Sequence, residues 1–285
     1  RESHMNGKHQ TGKITPVRGQ PANISYRGLE FTDRLCGIIA SVAAKPVRLR
    51  ADGDLFREDY RRLAETTSED EPPLETCIWI ASGMEWLAQV DNEIRAGKLN
   101  KLMAMSRIER HLLITEWLTQ LTSATPYWTI LAQHIDNMPD DAWFSITSFV
   151  RAAIRLSGDQ MQPVLKNTGG QWCYTNPSSS PYAERGMARA LEENFYWLGI
   201  VERAEINGES VFRLTHLGRY LLAGENEDLL LNELASQPTE IIVQPNFDIV
   251  VPMDSVDPLL TVPLDQFASR ISSDRVAIYR LSKDS

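Results

Sequence analysis

The sequence predicts a mainly α-helical chain with small β elements, an α+β fold in which a helical body carrying winged-helix units is followed by a short α+β domain. Three observations predict it. Apolar residues recur at helical spacing through most of the chain between Leu29 and Leu198. Asn207-Gly208 sits between two apolar-alternating runs, the strongest short-range hairpin signal. The last fifty residues change to short β-rich runs broken by proline. With 285 residues the chain can hold two or three small domains. Its 42% hydrophobic and 24% charged residues place it among ordinary globular proteins and away from disordered chains.

Taken in order, Arg1–Met5 (RESHM) reads as an expression-vector remnant, and residues 6–27 as a polar, flexible tail. Residues 28–180 form the helical region, with a degenerate winged helix at its start. Leu35, Ile38, Ile39 and Val42 make a helical stripe, capped by Thr32 or Asp33 and stopped at Lys45-Pro46. A short strand at Val47–Arg50, the turn Ala51–Asp54 and a helix over 56–64 follow. After the acidic, proline-ended loop 66–73, helices are predicted over about 74–91, 106–122, 126–136 and 140–156. Their tryptophans, Trp79, Trp86, Trp117, Trp128 and Trp143, read as core anchors. A Gly/Ser/Pro loop spans 166–181.

Residues 181–224 read as a winged helix. Met187, Leu191, Phe195 and Leu198 form one helix stripe ending at Gly199 in the C′ position. Strands Ile200–Glu205 and Ser210–Thr215 flank Asn207-Gly208, and Thr215 caps a last helix, HLGRYLLAG. Residues 236–285 form an α+β domain: two short strands broken at Pro245, a helix around Pro258–Ala268 and a strand at Val276–Leu281. The chain stops soon after that strand, which predicts a domain cut short.

Composition also narrows the function. No apolar run approaches the roughly 18 residues of a membrane span. Cys36, Cys77 and Cys173 lie far apart, which suits a reducing compartment and predicts a cytoplasmic protein. The histidines make no ligand spacing with them, so no metal is expected. Gly7–Ile14 (GKHQTGKI) copies most of a phosphate-binding loop. Ile14, however, stands where a magnesium-binding Ser/Thr is needed, and no strand precedes it. With no nucleophile elbow, Cys–His signature or HExxH pair, the chain reads as a binding module, without cofactor or small-molecule substrate.

The net charge of −9 is unevenly spread. Residues 13–62 hold ten Lys/Arg against six acids, whereas 223–259 carry eight acids and no Lys or Arg. Arg185 and Arg189 on the helix, and Arg203 and Arg213 on the wing, are the candidate DNA contacts, since a winged helix sets a helix in the major groove and its wing on the backbone. Lys98, Lys101, Arg107 and Arg110 make a second basic stretch of the same kind. Against them, residues 181–222 hold five arginines and six glutamates, and such a balance also suits docking of a protein partner.

Gln244-Pro245-Asn246-Phe247-Asp248 after Ile-Ile-Val, Leu264 with Phe267, and Arg275–Leu281 together resemble the helicase-associated domain found beside XPB-type superfamily-2 DNA helicases. Tyr26–Leu29, Arg34-Leu35 and LTHLGRYLL resemble the helical and winged-helix region that precedes it in bacterial members. The resemblance covers most of residues 26–285, and VQPNFDI is its most specific motif. It implies a non-catalytic role around DNA, through helicase or repair machinery, with DNA and a helicase as partners. A scaffold that binds only proteins is the alternative.

Overall fold

The computed structural model describes residues 14–64, 72–122, 126–139, 141–157, 164–168, 171–175, 181–225, 227–228, 230, 241–252, 257–273 and 276–281. The vector remnant, residues 7–13 of the phosphate-loop-like segment and most of the acidic loop 66–73 lie outside them. The fold is mixed α+β and mainly helical, as the sequence predicts. The chain divides into two compact units. One comprises residues 27–118 with 226–285, the other residues 1–26 with 119–225.

Strand β1 (Ala22–Ser25) opens the regular structure and belongs to the second unit. The first unit begins with α1 (Glu30–Ala44), β2 (Val47–Arg48), α2 (Arg57–Ala64), α3 (Leu74–Gly83), and the hairpin β3 (Leu87–Val90) and β4 (Glu93–Ala96). The apolar stripe of α1 is buried throughout, with Leu35, Ile38, Ile39 and Val42 at most 2% exposed. The predicted caps are not used. Leu29 occupies the N-cap position, and Thr32 lies inside the helix, where its Oγ1 shares a buried 2.7 Å hydrogen bond with His111 Nδ1.

The helix predicted over 74–91 is a correction. It ends at Gly83, and Glu85 turns the chain with φ 60 into a hairpin closed by Asp91 at φ 54. β2 pairs with β4, and β4 with β3, giving the order β2-β4-β3. The order is thus helix, strand, two helices and a hairpin whose second strand pairs the first strand, the order a winged helix has. Asp59, 3% exposed at the start of α2, ties it together. Burial pushes its carboxyl up, but the Arg48 amide and the Arg62 guanidinium outweigh this and hold it below the ordinary range.

Two helices continue the unit, α4 (Asn100–Ala104) and α5 (Arg107–Thr122). Ser106 and Glu109 form a reciprocal capping box at the start of α5: the Ser106 amide and hydroxyl donate to Glu109 Oε2 at 2.7 and 2.8 Å, and the Glu109 amide donates to Ser106 Oγ at 3.3 Å.

The second unit repeats the plan: α6 (Pro126–Asp136), β5 (Phe144–Ser145), α7 (Ile146–Leu156), the hairpin β6 (Val164–Thr168) and β7 (Gln171–Thr175), α8 (Pro181–Arg189), then β8 (Val201–Ile206), β9 (Glu209–Leu214) and α9 (His216–Ala223). The helix predicted over 140–156 starts only at Ile146, where Ser145 Oγ accepts from the Ser148 amide, and Phe144-Ser145 are instead a strand paired with β9. The segment 181–224, expected to stand as a winged helix by itself, therefore shares its sheet with β5 and continues a unit that begins at α6. Residues 22–25 of the predicted tail are also structured: β1 pairs with β8 and extends the sheet to β1-β8-β9-β5. Met187, Leu191, Phe195 and Leu198 are each at most 1% exposed, and the turn Ala190–Phe195 widens to a π-helix that keeps this stripe inward. Asn207 and Gly208 both take positive φ, 54 and 77, as a type I′ turn requires.

One partly buried imidazole makes the stability of this unit depend on pH. His134 on α6 and Ser157, the C-cap of α7, share a 2.8 Å bond, and burial lowers the imidazole pKa. The unfolded imidazole, near its ordinary value of about 6.5, then binds protons that the folded one does not. This stability is present above pH ~6.5 and is lost as pH falls through the depressed folded pKa. Melting temperatures at pH 8 and pH 5 will differ more in the wild type than in His134→Gln; equal differences would show that His134 contributes nothing.

The first unit ends with a sheet formed from β10 (Ile242–Val243), β11 (Asp248–Pro252), β12 (Ser269–Ser273) and β13 (Val276–Arg280), in the order β10-β11-β13-β12, with α10 (Thr261–Phe267) between β11 and β12. The break at Pro245 is a tight turn in which the Gln244 amide donates to Asp248 O at 2.8 Å. β12 was not foreseen. Ile249, Val251, Ala277, Tyr279 and Leu264 form the core of this sheet. The turn Pro258–Leu260 packs on α1, and Arg110 clamps it: Arg110 Nη1 donates to Asp257 Oδ1 and Oδ2 at 2.7 and 2.6 Å, and its Nε to Leu102 O at 2.8 Å.

Candidate nucleic-acid interface

In a winged helix the helix before the hairpin is the one placed to enter the major groove. That position is held by α3 in the first module and α8 in the second. Along α8 and the π-helical turn that continues it, the buried stripe Ala183, Met187 and Leu191 turns Glu184, Arg185, Arg189 and Glu192 to solvent. Arg185 and Arg189, four residues apart, share one face. Gly186 leaves room for Tyr127 of α6: a Cβ there would stand 2.9 Å from its ring.

The four arginines of this module differ in freedom. Arg185 is exposed and makes no ion pair among the described residues. Arg189 meets Glu193 at 2.8 Å, but its side chain is 76% exposed, and such a pair is worth little and is readily exchanged for phosphate. Arg203 lies with its guanidinium 3.8 Å above the Tyr196 ring and donates to Glu192 O at 3.1 Å. Tyr196 in turn bonds Ser25 of β1. Arg213 is held by Glu202, by Asp141 at 3.4 Å and by the Trp143 ring at 4.8 Å. The wing arginines thus serve the module's own packing, and the helix arginines are the available ones.

The second basic stretch is also split. Lys98 and Lys101 are exposed. Arg107, expected to contact phosphate, instead donates from Nε to Asp33 Oδ1 at 2.9 Å, which raises its pKa further. Arg110 is 2% exposed and committed to Asp257. Arg107 is thus half-buried and paired, and Arg110 fully buried, so neither is a free cation on a helix face.

A cleft of about 220 Å³ lies beside the second module's sheet, with Asn23, Ser25, Glu192, Arg203 and Ser210 among its walls. Within it Asn23 Nδ2 donates to Glu205 Oε2 at 3.4 Å and Arg203 Nη1 to Glu192 O at 3.1 Å. Among the described residues no group of three or more His, Cys, Asp and Glu converges as a metal site would require. Cys36 and Cys77 are buried, and burial pushes the Cys36 thiol up to about 12, far from a reactive thiolate. No described helix is long and apolar enough to cross a membrane.

Sequence reasoning missed α3 as the counterpart of α8, because it read the hairpin after it as helix. Trp79, expected in the core, is 55% exposed on α3, whereas Trp86, Trp128 and Trp143 are buried. Comparison with known protein families finds no match to this chain, and comparison with curated proteins finds none either.

Proposed function

We propose that this chain is a non-catalytic DNA-contacting accessory module, of the kind found beside XPB-type helicases, which lays α8 against duplex DNA. The observation that carries this reading is the exposed Arg185–Arg189 pair on the helix that occupies the recognition position of a winged helix. Two such modules in one chain, and a β-turn at VQPNFDI inside a small four-stranded sheet, support the helicase-associated class. Glutamates 184, 192 and 193 on the same helix disfavour a deep, base-reading fit and favour contact with one stretch of backbone.

Fluorescence anisotropy with a labelled duplex tests this at about 50 and 200 mM salt, where phosphate contacts weaken steeply. Arg185→Ala with Arg189→Ala is expected to weaken binding about tenfold and to reduce the salt slope by about two. Arg213→Ala is expected to leave the slope unchanged. No binding at about 50 mM, or binding indifferent to the double substitution, would overturn the reading. A protein-only scaffold is the second reading, and the first module favours it: α3 offers no Lys or Arg to a phosphate.

A further inference from the structure

The first module holds its recognition-position helix in the same place in the topology as the second, yet furnishes it in the opposite way. Between Arg62 and Arg95 the sequence has eight acids and no Lys, Arg or His. That stretch contains all of α3 and the tip of the β3–β4 hairpin. Glu75 and Glu85 are exposed at the two ends of α3, and Trp79 stands between them. Its indole meets Trp117 of α5 edge-on, with ring centroids 5.4 Å apart at 61°. Gly83 makes room for this: a Cβ there would lie 2.2 Å from the Trp117 ring. The pair is thus a built feature of this face, with Trp79 open to solvent and Trp117 half-buried behind it.

We propose that the Trp79–Trp117 face of α3 docks a basic segment of a partner protein, whose arginine or lysine side chains stack on the indoles between Glu75 and Glu85. Tryptophan offers the most attractive ring face to a cation, and neighbouring carboxylates add to the attraction. The same charges repel phosphate, so DNA does not fit this face. Exposed tryptophans on a helix surface are also typical anchors of protein interfaces. The second module contacts DNA on the reading above, while this one carries the protein contact, and the two rest on different residues.

A labelled peptide of five Arg-Leu-Ser repeats and its Glu-Leu-Ser counterpart are the probes, with the full chain as receptor. The arginine peptide is expected to bind, to change indole emission, and to weaken several-fold between about 50 and 200 mM salt; the glutamate peptide is expected not to bind. Trp79→Ala should weaken the arginine peptide about tenfold, Trp79→Phe less, and Glu75→Gln with Glu85→Gln should flatten the salt dependence. Gly83→Ala, which displaces Trp117 without changing charge, should weaken it too. Because Trp79 is exposed, its replacement leaves the fold intact, which circular dichroism checks. Arg185→Ala with Arg189→Ala should leave peptide binding unchanged, so that failure here and failure of the DNA reading are separable. The proposal is overturned if the arginine peptide does not bind at about 1 mM, or if Trp79→Ala binds it as well as the wild type. It is equally overturned if Trp79→Ala abolishes duplex binding, or if it converts a sedimenting dimer to monomer.

Discussion

Arg110→Ala will lower the stability of the first unit by about 3–5 kcal/mol. The guanidinium is 2% exposed, and it reaches both Asp257 oxygens and the Leu102 carbonyl. Removing it strands a carboxylate that is itself largely out of water, and that uncompensated charge is what makes the loss large. Asp257 also caps the Pro258–Leu260 turn, accepting from the Leu259 amide at 3.1 Å, so the loosened turn loses its seat on α1. Urea denaturation will show the loss. The control is Arg110→Met with Asp257→Leu, which removes both charges and fills the space; it is expected to recover most of the loss, since a buried pair seldom outperforms apolar packing. If the double variant is as unstable as Arg110→Ala, the cost lies in shape and not in charge.

That ion pair also explains what could be read from the sequence and what could not. Lys98, Lys101, Arg107 and Arg110 look alike in sequence, as cations on a possible helix face. Their fates are decided by Asp33 and Asp257, which lie 74 and 147 residues away from Arg107 and Arg110. No local pattern signals such partners. Local features were legible: the α1 stripe, the Asn207-Gly208 turn, the Thr215 cap and the Gly199 stop all depend on neighbours within a few residues. So was the exposure of Arg185 and Arg189, which follows from the spacing of Met187 and Leu191.

The misses have physical causes of two sorts. The β3–β4 hairpin follows α3 with only three residues between, and Trp86 and Leu87 continue the apolar run, so periodicity does not break where the helix does. Its turn uses Asp91-Asn92 without glycine, a weaker signal than Asn-Gly. The other sort is distance along the chain. β1 pairs with β8 some 180 residues later, and β5 is two residues long and exists only because β9 lies beside it. Short strands of this kind carry little propensity of their own, and tertiary pairing creates them.

Gly218→Ala is expected to destabilise the second unit by about 2–3 kcal/mol and to reduce duplex binding with it. A Cβ on Gly218 would stand 2.1 Å from the Ile200 carbonyl oxygen and 2.8 Å from its carbon, and a backbone group cannot step aside as a side chain can. The contact joins the two ends of the half-module that carries the proposed DNA contacts. Ile200 follows Gly199, where the recognition-position helix stops with φ 63, and it leads into β8. Gly218 lies in the first turn of α9, where its amide donates to Thr215 Oγ1 at 2.8 Å, while that hydroxyl donates to Gly199 O at 2.6 Å. Pushing α9 outward therefore opens the cap and releases the end of the helix that carries Arg185 and Arg189. Gly208→Ala is the instructive comparison. Nothing lies within 4 Å of its would-be Cβ, so only the positive φ of 77 is strained, at a cost of roughly 1–2 kcal/mol. Gly208→Ala should lower the melting temperature less than Gly218→Ala and leave duplex affinity unchanged. If the two variants lost affinity equally, the wing tip and not the helix end would be the part of this module that meets DNA.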